Sequence, residues 1–400
     1  MSEPDRIIQH LRRALGAEDG LAARLEHSLV QARASAQPQL DPALFAALDW
    51  PQNLEQYEAY LERFLRWVPV ESDAPVWTAP APERGYAGEV TDRMCHFFWL
   101  VDQHVGDDQT AIAESSAAFR DWVTEFAREW GGFLDTTRSF GPEILNSFID
   151  NAPEYRVGES FVDGIPNMPS GWLTFNQFIA RELNGGLRPI SDPGDNRMIT
   201  SPADCIFQHQ YAIDAGSNIP AVPIKGTHRY GNITRLLAGS RYAESFAGGT
   251  FVHYNLPACA YHRFHLPVSG LVAESYLING KVFLKVEIDD HHLVCRDDAQ
   301  TGYQFSQTRG VVTIDTSVAP AGDIGIVAVV CVGMSHVGSV VLTAVENRQM
   351  EKGQQFGYFQ FGGSDIILLF QNKLDLHVNT DDDYRLVGSP AAHFASATNR

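Results

Sequence analysis

The tightest constraint on the fold is a change of rhythm part-way along the chain. From Ile206 the apolar residues come in nine short runs: Ile206 to Ala212, Gly249 to Tyr254, Ser269 to Leu277, Lys281 to Ile288, Gly310 to Asp315, Ile324 to Val332, Ser339 to Val345, Gly357 to Phe361 and Ile366 to Phe370. Glycine and proline punctuate them. Strands this short and numerous predict a compact β core with few helices. Just ahead of them, residues 172–183 read as one short helix.

Upstream the period is helical. Residues 1–40 read as one or two polar, Ala-rich helices ending near Gln37-Pro38. Leu54, Tyr57, Leu61, Phe64, Leu65 and Val68 fall on one helical face. Asn53 and Gln56 form a capping box there, and Pro69 stops the helix. Pro75, Pro80 and Pro82 make residues 71–89 a loop. Val90 to Val105 and Ala111 to Leu134 predict further helices. Phe119, Trp122, Val123, Phe126 and Trp130 form a stripe on the second, read as core rather than as a ligand platform. The expected fold class is α+β, with a helical N-terminal extension over residues 1–155 and a β-rich core over residues 156–400.

Composition excludes some functions. With 44% hydrophobic and 20% charged residues, the chain has material for a sizeable core. The 30 Lys and Arg against 49 Asp and Glu leave a net charge of −19, a poor overall field for nucleic acid or an anionic membrane. Cys95, Cys205, Cys259, Cys295 and Cys331 have no zinc spacing and are expected to be reduced, which points to the cytoplasm. The N-terminus lacks the apolar centre of a signal peptide. The longest apolar run, Ile324 to Met334, falls far below the ~20 residues that span a bilayer. Asp289-Asp290-His291-His292 reads as solvated loop, because no second ligand pair stands at metal-site spacing. No metal is expected, and His96 and His104 read as core or surface histidines.

One segment carries chemistry. Gly353 to Phe370 reads as strand, tight turn, strand, with Gly362-Gly363 at the turn and Ser364 following. A serine hydroxyl beside an unshielded glycine carbonyl is able to attack it, provided a base removes its proton.

Five segments in register resemble the phosphatidylserine decarboxylase family. Lys352-Gly353-x-x-Phe356-Gly357-x-Phe359-x-x-Gly362-Gly363-Ser364 is similar to its self-cleavage segment. Thr174 to Leu183 with Arg188-Pro189-Ile190 resembles its opening segment. Ser201-Pro202-Ala203-Asp204 resembles its aspartate motif, and Tyr261-His262-Arg263-Phe264-His265-Leu266-Pro267 its histidine motif. Gly333 to Ser339 resembles the glycine-rich strand end before cleavage. The resemblance implies that His265, held by Asp204, activates Ser364, which attacks the Gly363 carbonyl. Elimination and hydrolysis would leave a β chain of residues 1–363 and an α chain of residues 364–400 with a pyruvoyl group at its start. That self-derived cofactor would form a Schiff base with the amine of a small-molecule substrate and draw electrons as carbon dioxide leaves. His262 is a candidate for reprotonating the carbanion or orienting the carboxylate. His336 and Met334 are candidates for substrate contact.

Membrane members of the family carry Leu-Gly-Ser-Thr at the cleavage point. Gly362-Gly363-Ser364-Asp365 is instead similar to a soluble branch that includes fungal L-tryptophan decarboxylases, as are Trp130 to Leu134 and Gly333-Met334-Ser335. Asp204 resembles the phospholipid branch. The expectation is a self-processing decarboxylase of a free aromatic L-amino acid. The alternatives are a phosphatidylserine decarboxylase forming phosphatidylethanolamine and an uncleaved binding member of the family. The membrane branch implies a homodimer. Asp365, a carboxylate beside the pyruvoyl carbon, is expected to repel an anionic substrate or slow cleavage.

Overall fold

The computed structural model describes residues 3–77, 88–104, 111–220, 231–282, 284–295, 305–333, 339–361, 364–371, 375–381 and 383–395. Helices come first. Glu3–Ala17 and Leu21–Ala36 divide the expected Ala-rich region at Gly20, whose φ of 77° only glycine adopts readily. Leu54–Phe64 starts where expected, with the Asn53 side chain accepting from Gln56 N. The next two helices are shorter than the periodicity suggests. One is Glu89–Trp99; the other breaks at Ser116, whose side chain caps Ala117–Leu134 by accepting from Phe119 N. The Pro142–Asn151 helix was not read from the sequence, and the short helix after it is only Phe175–Ile179.

The β region is built around a seven-stranded antiparallel sheet. Across it run Gln349–Met350, Gly270–Ile278, Arg309–Asp315, Ile326–Gly333, Ser364–Phe370, Thr250–Leu256 and Ile206–Ala212. Both faces are covered, so its inner strands are apolar throughout rather than alternating. Val327, Val329, Ile366, Leu368 and Phe370 point to one face, toward Phe264, Phe356 and Phe359 of a three-stranded sheet. That sheet is ordered Val340–Leu342, Gln355–Phe359, Arg263–His265. Gly357 is where the layers come closest: a Cβ there would lie 2.3 Å from the Phe264 ring and from Val341 O. A further sheet of Leu376–Val378, Pro390–Phe394 and Met198–Thr200 lies outside the nine apolar runs.

Val330, Val332, Ile367 and Leu369 point to the other face, toward the helices. One apolar core runs from Ile7 through Trp122 and Phe178 to Leu369, across the expected boundary at residues 155 and 156. The aromatic stripe is core, as read: Phe119, Trp122, Phe126 and Trp130 are buried. His96 is core too, edge-on to Trp50 and Tyr60. The Lys281 to Ile288 run is not a strand of the main sheet. Val286–Asp289 pairs with His292–Cys295 in a separate hairpin, turning at Asp290 and His291 with positive φ. His292 is buried there, a departure from the solvated loop expected. Cys95, Cys205, Cys259 and Cys331 are buried and free. Among the described residues, no helix is long and apolar enough to cross a membrane.

Candidate active site

Ser364 opens a strand held on both sides. It pairs with Gly333 of one neighbour and Leu256 of the other. Its hydroxyl is fully buried and has no hydrogen-bond partner among the described residues. Such a group costs roughly 1–3 kcal/mol to leave unsatisfied, and a buried orphan of this kind calls for a functional account.

The residues before the serine are clamped by the helical layer. Phe361 lies edge-on to Trp130 at 5.7 Å and to Phe175 at 5.1 Å between ring centroids. Its N–H donates to Asn176 Oδ1, while Asn176 Nδ2 donates to Gly131 O and Asp135 Oδ1. The helical extension therefore grips the chain on the approach to the serine. Gly363 and Gly362 lie outside the described residues, as do Met334 and His336.

His265 sits on the Arg263–His265 strand. Its N–H donates to Pro202 O at 2.7 Å, joining the histidine motif to the aspartate motif through the backbone. In the ring, Nδ1 donates to Gly353 O at 2.8 Å, and Nε2 accepts from the Tyr261 hydroxyl at 3.1 Å. Burial pushes this histidine below its ordinary pKa, so the neutral ring is favoured. The Gly353 carbonyl thus does what a carboxylate was expected to do: it fixes the tautomer and leaves Nε2 as the acceptor nitrogen. Gly353 reaches that position at φ 82°, and a Cβ on it would meet Ile190 at 2.5 Å.

Asp204 takes a different partner from the one expected. Its carboxylate accepts from Arg188 Nε at 2.9 Å and Nη2 at 2.6 Å, and from Val387 N at 2.8 Å. Arg188 also donates to Glu159 at 2.7 Å and lies over the Tyr261 ring, 6.0 Å from its centroid. Neither hydrogen bond of a Ser364–His265–Asp204 relay is formed. Asp204 reaches His265 through Arg188 and Tyr261, neither of which was given a role from sequence. Tyr261 stood in the histidine motif and Arg188 in the opening segment, so position in the motifs was the available signal.

His262 is buried, with Nδ1 donating to Ala260 O at 2.7 Å and its ring edge-on to Phe359. It lies just before the Arg263–His265 strand, so simple alternation within that strand does not set its relation to His265; the register shift between Gln355 and Gly357 is on the pairing strand.

Asp365 corrects an expectation. Consecutive strand residues face opposite ways. Asp365 therefore points with Ile367 toward the helical layer, and Ser364 with Ile366 toward the three-stranded sheet. It is fully buried; Oδ2 lies 2.8 Å from His253 Nε2, and Oδ1 accepts from Asn255 Nδ2 at 3.1 Å. A carboxylate so placed does not confront a substrate on the serine side. No sequence signal marked His253 or Asn255, because cross-strand register is not written in local pattern.

Comparison with known proteins fits these landmarks. A family model described as phosphatidylserine decarboxylase matches residues 175–389, more than half of the 400. The chain belongs to the phosphatidylserine decarboxylase family. This family is one of carboxy-lyases that carry a self-derived pyruvoyl group. A phosphatidylserine decarboxylase proenzyme 2 of Komagataella phaffii is 34% identical over 207 residues, 50% of this chain but 19% of the yeast protein. A phosphatidylserine decarboxylase proenzyme 2 of rice is 30% identical over 52% of this chain and 31% of its own length. The match thus spans only a fifth to a third of these longer relatives. The proenzyme of Clostridium perfringens is 30% identical over 253 residues, 62% of this chain and 74% of the bacterial protein.

Proposed function

We propose that this chain is a self-processing, pyruvoyl-dependent decarboxylase that converts phosphatidylserine to phosphatidylethanolamine. The observation that carries the reading is Ser364, a buried serine with no hydrogen-bond partner among the described residues, after Gly362-Gly363 in the family's cleavage segment. Those residues fit a pyruvoyl group derived from the serine. That group supplies an electron sink for the carbon that loses carbon dioxide.

The chain's own side chains supply the rest. His265, kept neutral by burial and committed at Nδ1 to Gly353 O, keeps Nε2 as its acceptor nitrogen; to take the Ser364 proton there, the Tyr261 hydroxyl that now donates to Nε2 must first turn away. Tyr261 orients that nitrogen, and Asp204 holds Arg188 against Tyr261. His262 moves a proton at Nε2 or orients the substrate carboxylate. His336 and Met334 are retained as substrate contacts.

The substrate choice departs from the free aromatic amino acid expected from sequence. The relatives' names carry phosphatidylserine. A surface feature supports the same choice. Val162 (52% exposed), Ile165 (66%), Leu173 (48%) and Leu187 (39%) are large apolar side chains left in solvent within one stretch. Asn184 binds Phe161 O and Glu159 O, while Arg263 binds Ala180 O and Glu182, which ties that stretch to the histidine strand. Exposed apolar side chains on a segment tied to the histidine strand suit a substrate with acyl chains.

The test is intact mass followed by carbon dioxide release from phosphatidylserine in mixed micelles and from L-tryptophan. Cleavage between Gly363 and Ser364 with turnover of the lipid is expected. Turnover of tryptophan alone would replace the lipid reading. An uncleaved 44.3 kDa chain would leave a binding protein.

A further inference from the structure

Processing creates a mechanical problem at the centre of the large sheet. Before cleavage, residue 364 is anchored through residues 360–363 to Phe359, the end of the Gln355–Phe359 strand. After cleavage it is a chain end, and chain ends fray unless something ties them down. The pyruvoyl group would sit on that end, where a displacement of about 1 Å is enough to cost rate.

The structure places a clip one residue inside the new end. Asp365 pairs with Asn255 and Val332 in the backbone register. Its carboxylate binds two side chains of the same neighbouring strand, Asn255 directly across and His253 two residues further on. All of this lies on the helical side of the sheet, so the clip does not occupy the face to which Ser364 points. Carboxylate and imidazole are both fully buried, so breaking the pair strands a charged or polar group away from water. His253 is further packed against the His209 ring, 6.4 Å between centroids, and against Phe251.

We propose that Asp365, held by His253 and Asn255, is a positioning residue that pins the chain end created at residue 364, keeping the carbonyl made from Ser364 in register after the Gly363–Ser364 bond is gone. The inference rests on the self-processing reading above. It separates two steps that a general loss of structure would not: the intact precursor is held by its own backbone, whereas the processed form depends on the clip.

The experiment compares Asp365→Ala with the parent, and the same substitution in the uncleavable Ser364→Ala background. Cleavage is followed by intact mass, turnover with phosphatidylserine micelles, and amide hydrogen exchange over residues 366–369. Cleavage within about threefold of the parent, kcat down at least about tenfold with KM little changed, and exchange raised about tenfold only in the processed form are expected. Asn255→Asp combined with Asp365→Asn exchanges the two partners and rebuilds both hydrogen bonds, so it should restore exchange and kcat. Equal exchange in cleaved and uncleaved backgrounds, or no rescue by the swap, would reduce the clip to ordinary packing and overturn the proposal. Unchanged kcat and exchange in Asp365→Ala would overturn it as well. If Asp365→Ala does not fold, the swap variant decides: a swap that folds with parental kcat and exchange supports the clip, and one that folds without them refutes it. A parent that is never cleaved instead refutes the self-processing reading, and is recognised by mass alone.

Discussion

The Nδ1 of His265 donates to the carbonyl of Gly353, 2.8 Å away, from a glycine whose φ of 82° puts that carbonyl in place. A histidine expected to lean on a carboxylate is aimed by a backbone turn. Gly353→Ala should therefore act on the base and on the fold together. It forces a side chain into left-handed backbone and against Ile190, at a cost of about 1–3 kcal/mol. Slower appearance of the 1–363 chain, with a lower denaturant midpoint, would be the expected pair of readings.

Asp204→Asn tests whether Asp204 works on His265 directly. In the structure it pairs with Arg188, which keeps Glu159 as a second partner, so replacing the carboxylate by the amide should cost about 1–3 kcal/mol. The expected outcome is a fall in stability by urea titration, with cleavage slowed alongside. Unchanged stability with abolished cleavage would show that the carboxylate addresses the histidine itself.

Ser364→Ala should give a single chain of 400 residues. It removes a buried hydroxyl with no partner among the described residues, so the uncleaved variant should match or exceed the precursor in stability, by up to about 1–2 kcal/mol. A loss of stability would mean that the hydroxyl already has a structural partner.

His96 makes a prediction about acid. Burial lowers its pKa from 6.5 to about 3 in the folded chain. An unfolded chain takes up the proton first as pH falls, so stability is lost downward from about pH 6.5, at roughly 1.4 kcal/mol per pH unit, until the folded pKa is reached. His96→Phe, which keeps a ring against Trp50 and Tyr60, should flatten the stability profile between about pH 6 and 4 in urea titrations. A profile as steep as that of the parent would assign the acid limb elsewhere.

Much of this architecture is legible in the residues. The Phe119, Trp122, Phe126 and Trp130 stripe announces a buried helix face. The unbroken apolar run Ile366 to Phe370 announces a strand covered on both sides. Asn53 caps where capping chemistry says it must. What local pattern hides is register. Nothing near Asp365 says that residue 253, more than a hundred positions away, supplies its partner. Nor does Asp204 reveal that Arg188 will outcompete His265 for its carboxylate. The Phe361 clamp shows how the helical extension reaches the approach to the serine through Trp130, while Asn176 joins it from the β-rich region; both look remote from the serine in sequence.

The strand that begins at Ser364 lies between Ile326–Gly333 and Thr250–Leu256, and the same C-terminal piece contributes Leu376–Val378 and Pro390–Phe394 to a second sheet. Severing the chain ahead of Ser364 would therefore yield a nicked protein rather than a two-subunit complex. The 37-residue fragment would be woven through its larger companion. Dilution would not separate the pieces. They would come apart only when the whole fold melts, and no ordinary dissociation constant would describe them.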